Sequence, residues 1–162
     1  MGYNITIGNA IPEFSKEDGE LYACWVVEGA CSNDAPTFPN DLMTGNTNSR
    51  SPSYTGWNDF CEESGLYDLF YRKWEGLIYN HPGCVPITQE HYQEVYNALE
   101  RRKNKATKPP GFCCDSQWDK ENKVWVTQDE DKYDYILARL MWLEYWMKWA
   151  LENCETPAIQ NT

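Results

Sequence analysis

The sequence predicts an α+β domain in which a small antiparallel sheet packs against about three helices, with a tryptophan-rich C-terminal helix at the centre. Three observations carry that expectation. Leu21 to Val27, LYACWVV, is a near-continuous apolar run of β-branched and aromatic residues, as in a strand. Tyr92, Val95, Tyr96 and Leu99 recur at i, i+3, i+4, i+7, as on one face of a helix. From about Lys132 to Asn153, apolar residues including Ile136, Leu140, Trp142, Leu143, Trp146, Met147 and Trp149 cover most of a helical circumference.

The elements follow in order. Tyr3 to Ile7 alternates with period two and reads as a short strand, and residues 12–20, PEFSKEDGE, read as a turn leading to the Leu21–Val27 strand. Two strands alone are marginal in water and need a helix over one face. A long ordered loop at about 28–56 comes next. Thr55 or Asn58 can cap a helix to about Lys73, bent where Gly65 interrupts it. Residues 80–87, NHPGCVPI, form a loop dictated by two prolines and a glycine. Thr88 caps the next helix, which runs to Arg102, and residues 103–112 read as an extended linker. Val124-Trp125-Val126 suits a third short strand after a turn at Glu121-Asn122. Asp129 or Asp131 caps the last helix, where Glu144, Lys148 and Glu152 make a narrow solvated stripe with ion-pair spacing.

The 162 residues suit one domain, 1–162, and 41% hydrophobic content with eight Trp and eleven Tyr supplies a core and argues against disorder. Eight tryptophans exceed what such a domain must bury, so a homo-oligomer is expected. No apolar run is long enough to span a bilayer, and MGYNITIGNA has neither the basic start nor the apolar stretch of a signal peptide, so no membrane partner and a cytoplasmic location are expected. A net charge of −11 disfavours long nucleic acid, which needs a basic stripe to displace counterions. The basic cluster Arg101-Arg102-Lys103-Asn104-Lys105 reads as a helix C-terminus, where cations complement the dipole.

Chemistry-bearing groups are scattered. Seven cysteines with irregular spacing read as reduced, mostly buried thiols. His81-Pro82-Gly83-Cys84 with Cys113-Cys114 lacks the paired short spacing of a zinc site, so neither metal nor cofactor is expected. A nucleophilic pair of Cys84 or Cys113 with His81 or His91 would need an activated thiolate, and seven cysteines offer such pairings by chance. No Walker A, G-x-G-x-x-G, H-E-x-x-H or G-x-S-x-G pattern is present.

The loop is densest in recognition chemistry over Pro36–Trp57. Asn46, Asn48, Ser49, Arg50, Ser51 and Ser53 offer amides, hydroxyls and one guanidinium suited to phosphate or sugar. Phe38, Tyr54 and Trp57 could stack on a base, with His81 as a further contact. Arg50, the only cation between Lys16 and Arg72, is the expected phosphate anchor. A second reading stands beside this one: an ordered loop whose Asn and Ser side chains bond to its own backbone.

The phrases MGYNITIGNA, APTFPNDLMTGN, RSPSY, HPGC, LARLMWLEYW and ALENCETPAI resemble, as a set, small uncharacterised proteins of tailed phages and prophages. The resemblance covers nearly the whole chain. It implies a protein of the host cytoplasm made during infection. Together with the loop it suggests a non-enzymatic protein that binds and sequesters a small nucleotide-like ligand and so counters host defence signalling. The alternatives are an acidic inhibitor that binds a host defence protein directly and, below it, a Cys/His-dependent enzyme.

Overall fold

A computed structural model of the chain describes residues 1–17, 20–41, 45–113, 116–127 and 132–162. The expected caps Asp129 and Asp131 and residue Cys114 lie outside these segments. The fold is α+β. Its elements are β1 (Ile5–Glu17), β2 (Glu20–Val27), β3 (Ser49–Arg50), α1 (Tyr54–Ser64), α2 (Tyr67–Tyr71) and β4 (Gly83–Pro86), followed by α3 (Gln89–Lys105), β5 (Ser116–Asp119), β6 (Val124–Thr127), α4 (Tyr135–Asn153) and β7 (Pro157–Asn161).

The main sheet has the order β2-β1-β7-β4, with β3 paired to β1, and every pairing is antiparallel. Residues 12–17 correct the expected turn: they extend β1, and the ladder to β2 runs from Ala10 opposite Val27 to Glu17 opposite Glu20. A paired backbone satisfies its own polar groups, and this overrides the turn-like composition. The C-terminal β7 completes the sheet, lying between β1 and β4. Pro157 is the first residue of β7, the position in a strand where a missing N–H is tolerated.

Helix boundaries follow local chemistry. Ser53, rather than Thr55 or Asn58, caps α1 by accepting from Gly56 N, and Gly65 ends it in the left-handed region at φ 77°. Leu66 N then donates back to Cys61 O at 2.9 Å, so the bend expected at Gly65 is a true helix end followed by the short α2. Thr88 and His91 form a capping box at the start of α3, which continues to Lys105 and takes in the first residues assigned to the linker. Asp134 caps α4.

The core lies between the sheet and α4. Ile5, Ile7 and Ile159 point inward from β1 and β7, and α4 packs on both strands and on α3. Trp142 and Trp146 are buried as their spacing suggests, and Trp149 is half-buried. Trp25, Trp74, Trp118 and Trp125 are exposed instead. The β5–β6 hairpin, with the exposed pair Trp118 and Trp125 directly opposite one another, forms a separate two-stranded sheet.

Trp146 is fully buried, touches Tyr145 and Trp149 edge-on at 5.2 Å, and its indole N–H has no hydrogen-bond partner among the described residues. Trp146→Ala is expected to cost about 3–5 kcal/mol in denaturant unfolding. Trp146→Phe should cost well under half of that, since it keeps an aromatic ring and removes an unpaired donor. Equal losses for the two variants would mean that the N–H is satisfied.

Candidate functional site

The long loop is stitched down by its own polar side chains. Asn48 is 1% exposed. Its amide donates to Ile7 O at 2.9 Å and Glu28 O at 2.8 Å, and its carbonyl oxygen accepts from Ala30 N at 2.8 Å. Gly8 permits this approach, because a Cβ there would lie 3.0 Å from the Asn48 amide nitrogen. Arg50 behaves likewise. Its guanidinium donates to Thr47 O, Thr47 Oγ1, Ser49 O and Gly45 O between 2.7 and 3.1 Å, and it pairs with Asp41 at 2.9 Å. It also lies over the Trp142 ring, 5.2 Å from its centroid.

These contacts correct the expected site. Asn48 is spent on backbone. Both terminal nitrogens of Arg50 are held by the loop and Asp41, so it is not a guanidinium waiting for phosphate. Ser49 shares a hydrogen bond with Thr6, Ser51 with Asn4, and Ser53 caps α1. The backbone carbonyl of Asn46 accepts from Ser32 N. Tyr54 and His81 sit apart from the cavity described below. Tyr54 OH and His81 Nε2 are 3.1 Å apart, His81 Nδ1 is 2.7 Å from buried Asn161, and Tyr3 packs edge-on against both rings.

What the stitched loop builds is a cavity of about 330 Å³ against the N-terminal half of α4. Phe38, Arg50, Ser51 and Trp57 line it, as do Asp41, Phe112, Tyr135, Arg139 and Trp142. Tyr135, Arg139 and Trp142 share one helix face at i, i+4, i+7. The opposite wall is fixed by Asn40 Nδ2 donating to Phe112 O at 3.0 Å, Phe112 N donating to Pro39 O at 3.0 Å, and an edge contact between Phe38 and Phe112. Trp142 Nε1 donates to Thr47 O at 3.1 Å and ties the loop to the helix.

Arg139 dominates the electrostatics. It is half-buried, donates from Nη1 to Gly56 O at 2.6 Å, and stands 5.4 to 6.0 Å from the centroids of Tyr135, Phe60, Trp57 and Phe112. It forms no ion pair among the described residues, whose pairs are Arg50–Asp41, Arg72–Glu75, Arg102–Asp134 and Lys103–Glu100. Burial lowers its pKa from the ordinary value, yet a guanidinium remains charged. Aromatic faces attract such a cation by about 0.5–2 kcal/mol each, which offsets only part of the cost of desolvating it. Asp41 pairs with Arg50 and also acts on Arg139 through its charge, so the described lining, with two arginines and one aspartate, carries a net single positive charge walled by aromatic rings.

Arg139 escaped the sequence reading, although a signal existed. It is a lone cation in ILARLMWL, flanked at helical spacing by Tyr135 and Trp142. Elsewhere, burial pushes the Cys84 thiol pKa up, the reverse of an activated nucleophile. Among the described residues no helix is long and apolar enough to cross a membrane. Comparison with protein-family models, curated proteins and solved structures finds no match.

The two arginines should respond differently to neutralisation. Arg50→Met leaves the Asp41 side chain, 6% exposed, without its guanidinium and is expected to cost about 3–5 kcal/mol in chemical denaturation. Arg139→Met breaks no ion pair and should change stability by less than about 1 kcal/mol. The reverse order would assign the structural role to Arg139.

Proposed function

We propose that the protein is a non-enzymatic binder of a small nucleotide-like anion, held in the cavity between the loop and α4. The observation that carries this reading is Arg139: a half-buried guanidinium that forms no direct salt bridge among the described residues, on the wall of a cavity whose other surfaces are mainly aromatic. A planar base stacks on such walls, and a phosphate supplies the missing counter-charge in a site from which water is partly excluded. The volume stands at the lower end of the range for small-molecule sites, about 300–1,000 Å³, and favours a single base over a dinucleotide. In the setting implied by the resemblance to phage proteins, the protein acts in the host cytoplasm by sequestering a nucleotide messenger of host defence.

A second reading rests on a different observation. Trp118 and Trp125 are 46% and 68% exposed on a hairpin within a strongly acidic chain, and Trp25 and Phe14 are exposed on the β1–β2 ribbon. Those surfaces suit an acidic inhibitor that docks on a basic host protein, or contacts within a homo-oligomer. An enzyme based on Cys84 and His81 is the weakest reading, because the thiol is raised by burial and His81 is held by Asn161 and Tyr54.

Calorimetry with nucleoside monophosphates, free nucleosides and inorganic phosphate tests the leading proposal. Wild type should bind a monophosphate, and Arg139→Gln should weaken binding by about 1.5–3 kcal/mol, roughly tenfold to over a hundredfold, while melting like wild type. Absence of binding by wild type, or equal binding by Arg139→Gln, would overturn it and favour the acidic inhibitor.

A further inference from the structure

The outer part of the β1–β2 ribbon stands clear of the core. The ladder between β1 and β7 ends at Asn9, whereas the ladder to β2 continues to Glu17. Ile11, Pro12, Glu13, Phe14, Cys24 and Trp25 are all exposed there. A two-stranded ribbon bare on both faces is marginal in water.

The direction of each backbone group along the ribbon follows from a few bonds. Glu28 N donates to Asn9 O at 3.0 Å, so these two residues face one another across the ribbon. Ala10 N turns the other way, to Thr156 O at 2.8 Å, and Val27 N turns out to the Gln160 side chain at 2.8 Å. Inward and outward positions alternate in an antiparallel pair. The register runs unbroken from Ala10 opposite Val27 to Glu17 opposite Glu20. The outward positions of β1 are therefore Pro12, Phe14 and Lys16, and those of β2 beyond Val27 are Trp25, Ala23 and Leu21.

The two edges of the ribbon differ. On β1, Pro12 has no N–H to offer and Lys16 places a charge on the edge, and both features keep an edge from pairing. On β2, the run from Leu21 to Val27 holds neither proline nor charge. The edge strand β4 has four residues and ends on Pro86, and β5 and β6 have four residues each. β2, with eight, is the longest edge strand among the described residues.

Such an edge is complementary to another extended strand. We propose that its occupant is β2 of a second copy, paired antiparallel about a two-fold axis at Ala23. Ala23 then lies opposite itself, and Leu21 of each copy lies opposite Trp25 of the other. This register uses all three outward positions. A shift by one residue of the axis toward Val27 would set Leu21 against Val27, whose N–H Gln160 already holds. The opposite shift would set Trp25 beyond the end of the ladder. The two ribbons merge into one continuous sheet, and the interface is isologous. The seam itself is uncharged, so two chains of net charge −11 meet there against only their long-range repulsion, which salt screens. This pairing stands whether or not the aromatic cavity binds a ligand.

Sedimentation equilibrium of the full chain from micromolar to millimolar concentration tests this. A contact of one strand pair is small, so the dimer should be weak. The mass should rise from that of one chain, 18.9 kDa, toward twice that value and stop, and it should rise at lower concentration in high salt than in low salt. Ala23→Pro removes the donor on the axis and spares the bonds to β1, because that N–H points outward. Trp25→Glu sets like charge beside the seam and leaves the backbone intact. Each should weaken association by at least about tenfold while keeping the wild-type circular dichroism. If Ala23→Pro does not fold, Trp25→Glu decides. Trp125→Glu, on the separate hairpin, should associate like wild type. A wild type that stays monomeric, a mass that climbs past the dimer, or association weakened by salt overturns the proposal. So does association that survives in either folded β2 variant, or that is lost in Trp125→Glu.

Discussion

The Asn48 side chain ties β1 to two stretches of chain outside the strand ladders. Through one amide it joins Ile7 of β1, the Glu28–Ala30 corner after β2, and the loop that returns to β3. Its backbone extends the same seam, with Ile7 N donating to Asn48 O and Asn48 N donating to Ala30 O. Each buried backbone group left unpaired would cost about 1–3 kcal/mol, so one asparagine does what a further strand would otherwise do. Two residues later Arg50, in β3, pairs with Ile5 of β1 and folds its guanidinium back over the loop. The described parts of the loop are thus held without a strand ladder before β3, and Trp142 ties them to α4.

This arrangement creates the cavity. A loop free to collapse onto α4 would cover Arg139. Held by Asn48, by Arg50 and by the indole of Trp142, it stands off and leaves the guanidinium facing open space between aromatic rings. The division of labour between the two arginines follows. Arg50 is saturated and structural, with Asp41 as its counter-ion. Arg139 has a backbone acceptor and aromatic faces and feels Asp41 only through its charge, with no direct salt bridge among the described residues.

The sequence revealed most where periodicity is strong. The run from Ile136 to Leu151 disclosed α4, the 92–99 spacing disclosed α3, and the glycine at 65 disclosed the break between α1 and α2. β7 was not legible, because five residues beginning with proline carry no alternation of their own and become a strand only between β1 and β4. The extended β1 was hidden by turn-like residues whose conformation is set by pairing with β2. For the proposed site, composition drew attention to the loop and to Arg50, and the structure shows that Arg50 is taken up by the loop itself. Arg50 stands out in sequence because it is alone among hydroxyls and amides, and those same neighbours and backbone carbonyls satisfy it. Arg139 is concealed inside a helix that reads as core, and only the loop packed across that helix turns its face into a cavity wall.

The central claim is that this cavity is an anion site organised by Arg139. A high-resolution crystal structure of the protein grown with a nucleoside monophosphate tests it most directly. The account predicts phosphate oxygens within hydrogen-bonding distance of the Arg139 guanidinium, the base against the Trp57 and Phe112 side of the cavity, and an unchanged Arg50–Asp41 pair. A cavity closed by the protein's own side chains, or Arg139 paired with a carboxylate of the chain, would contradict it.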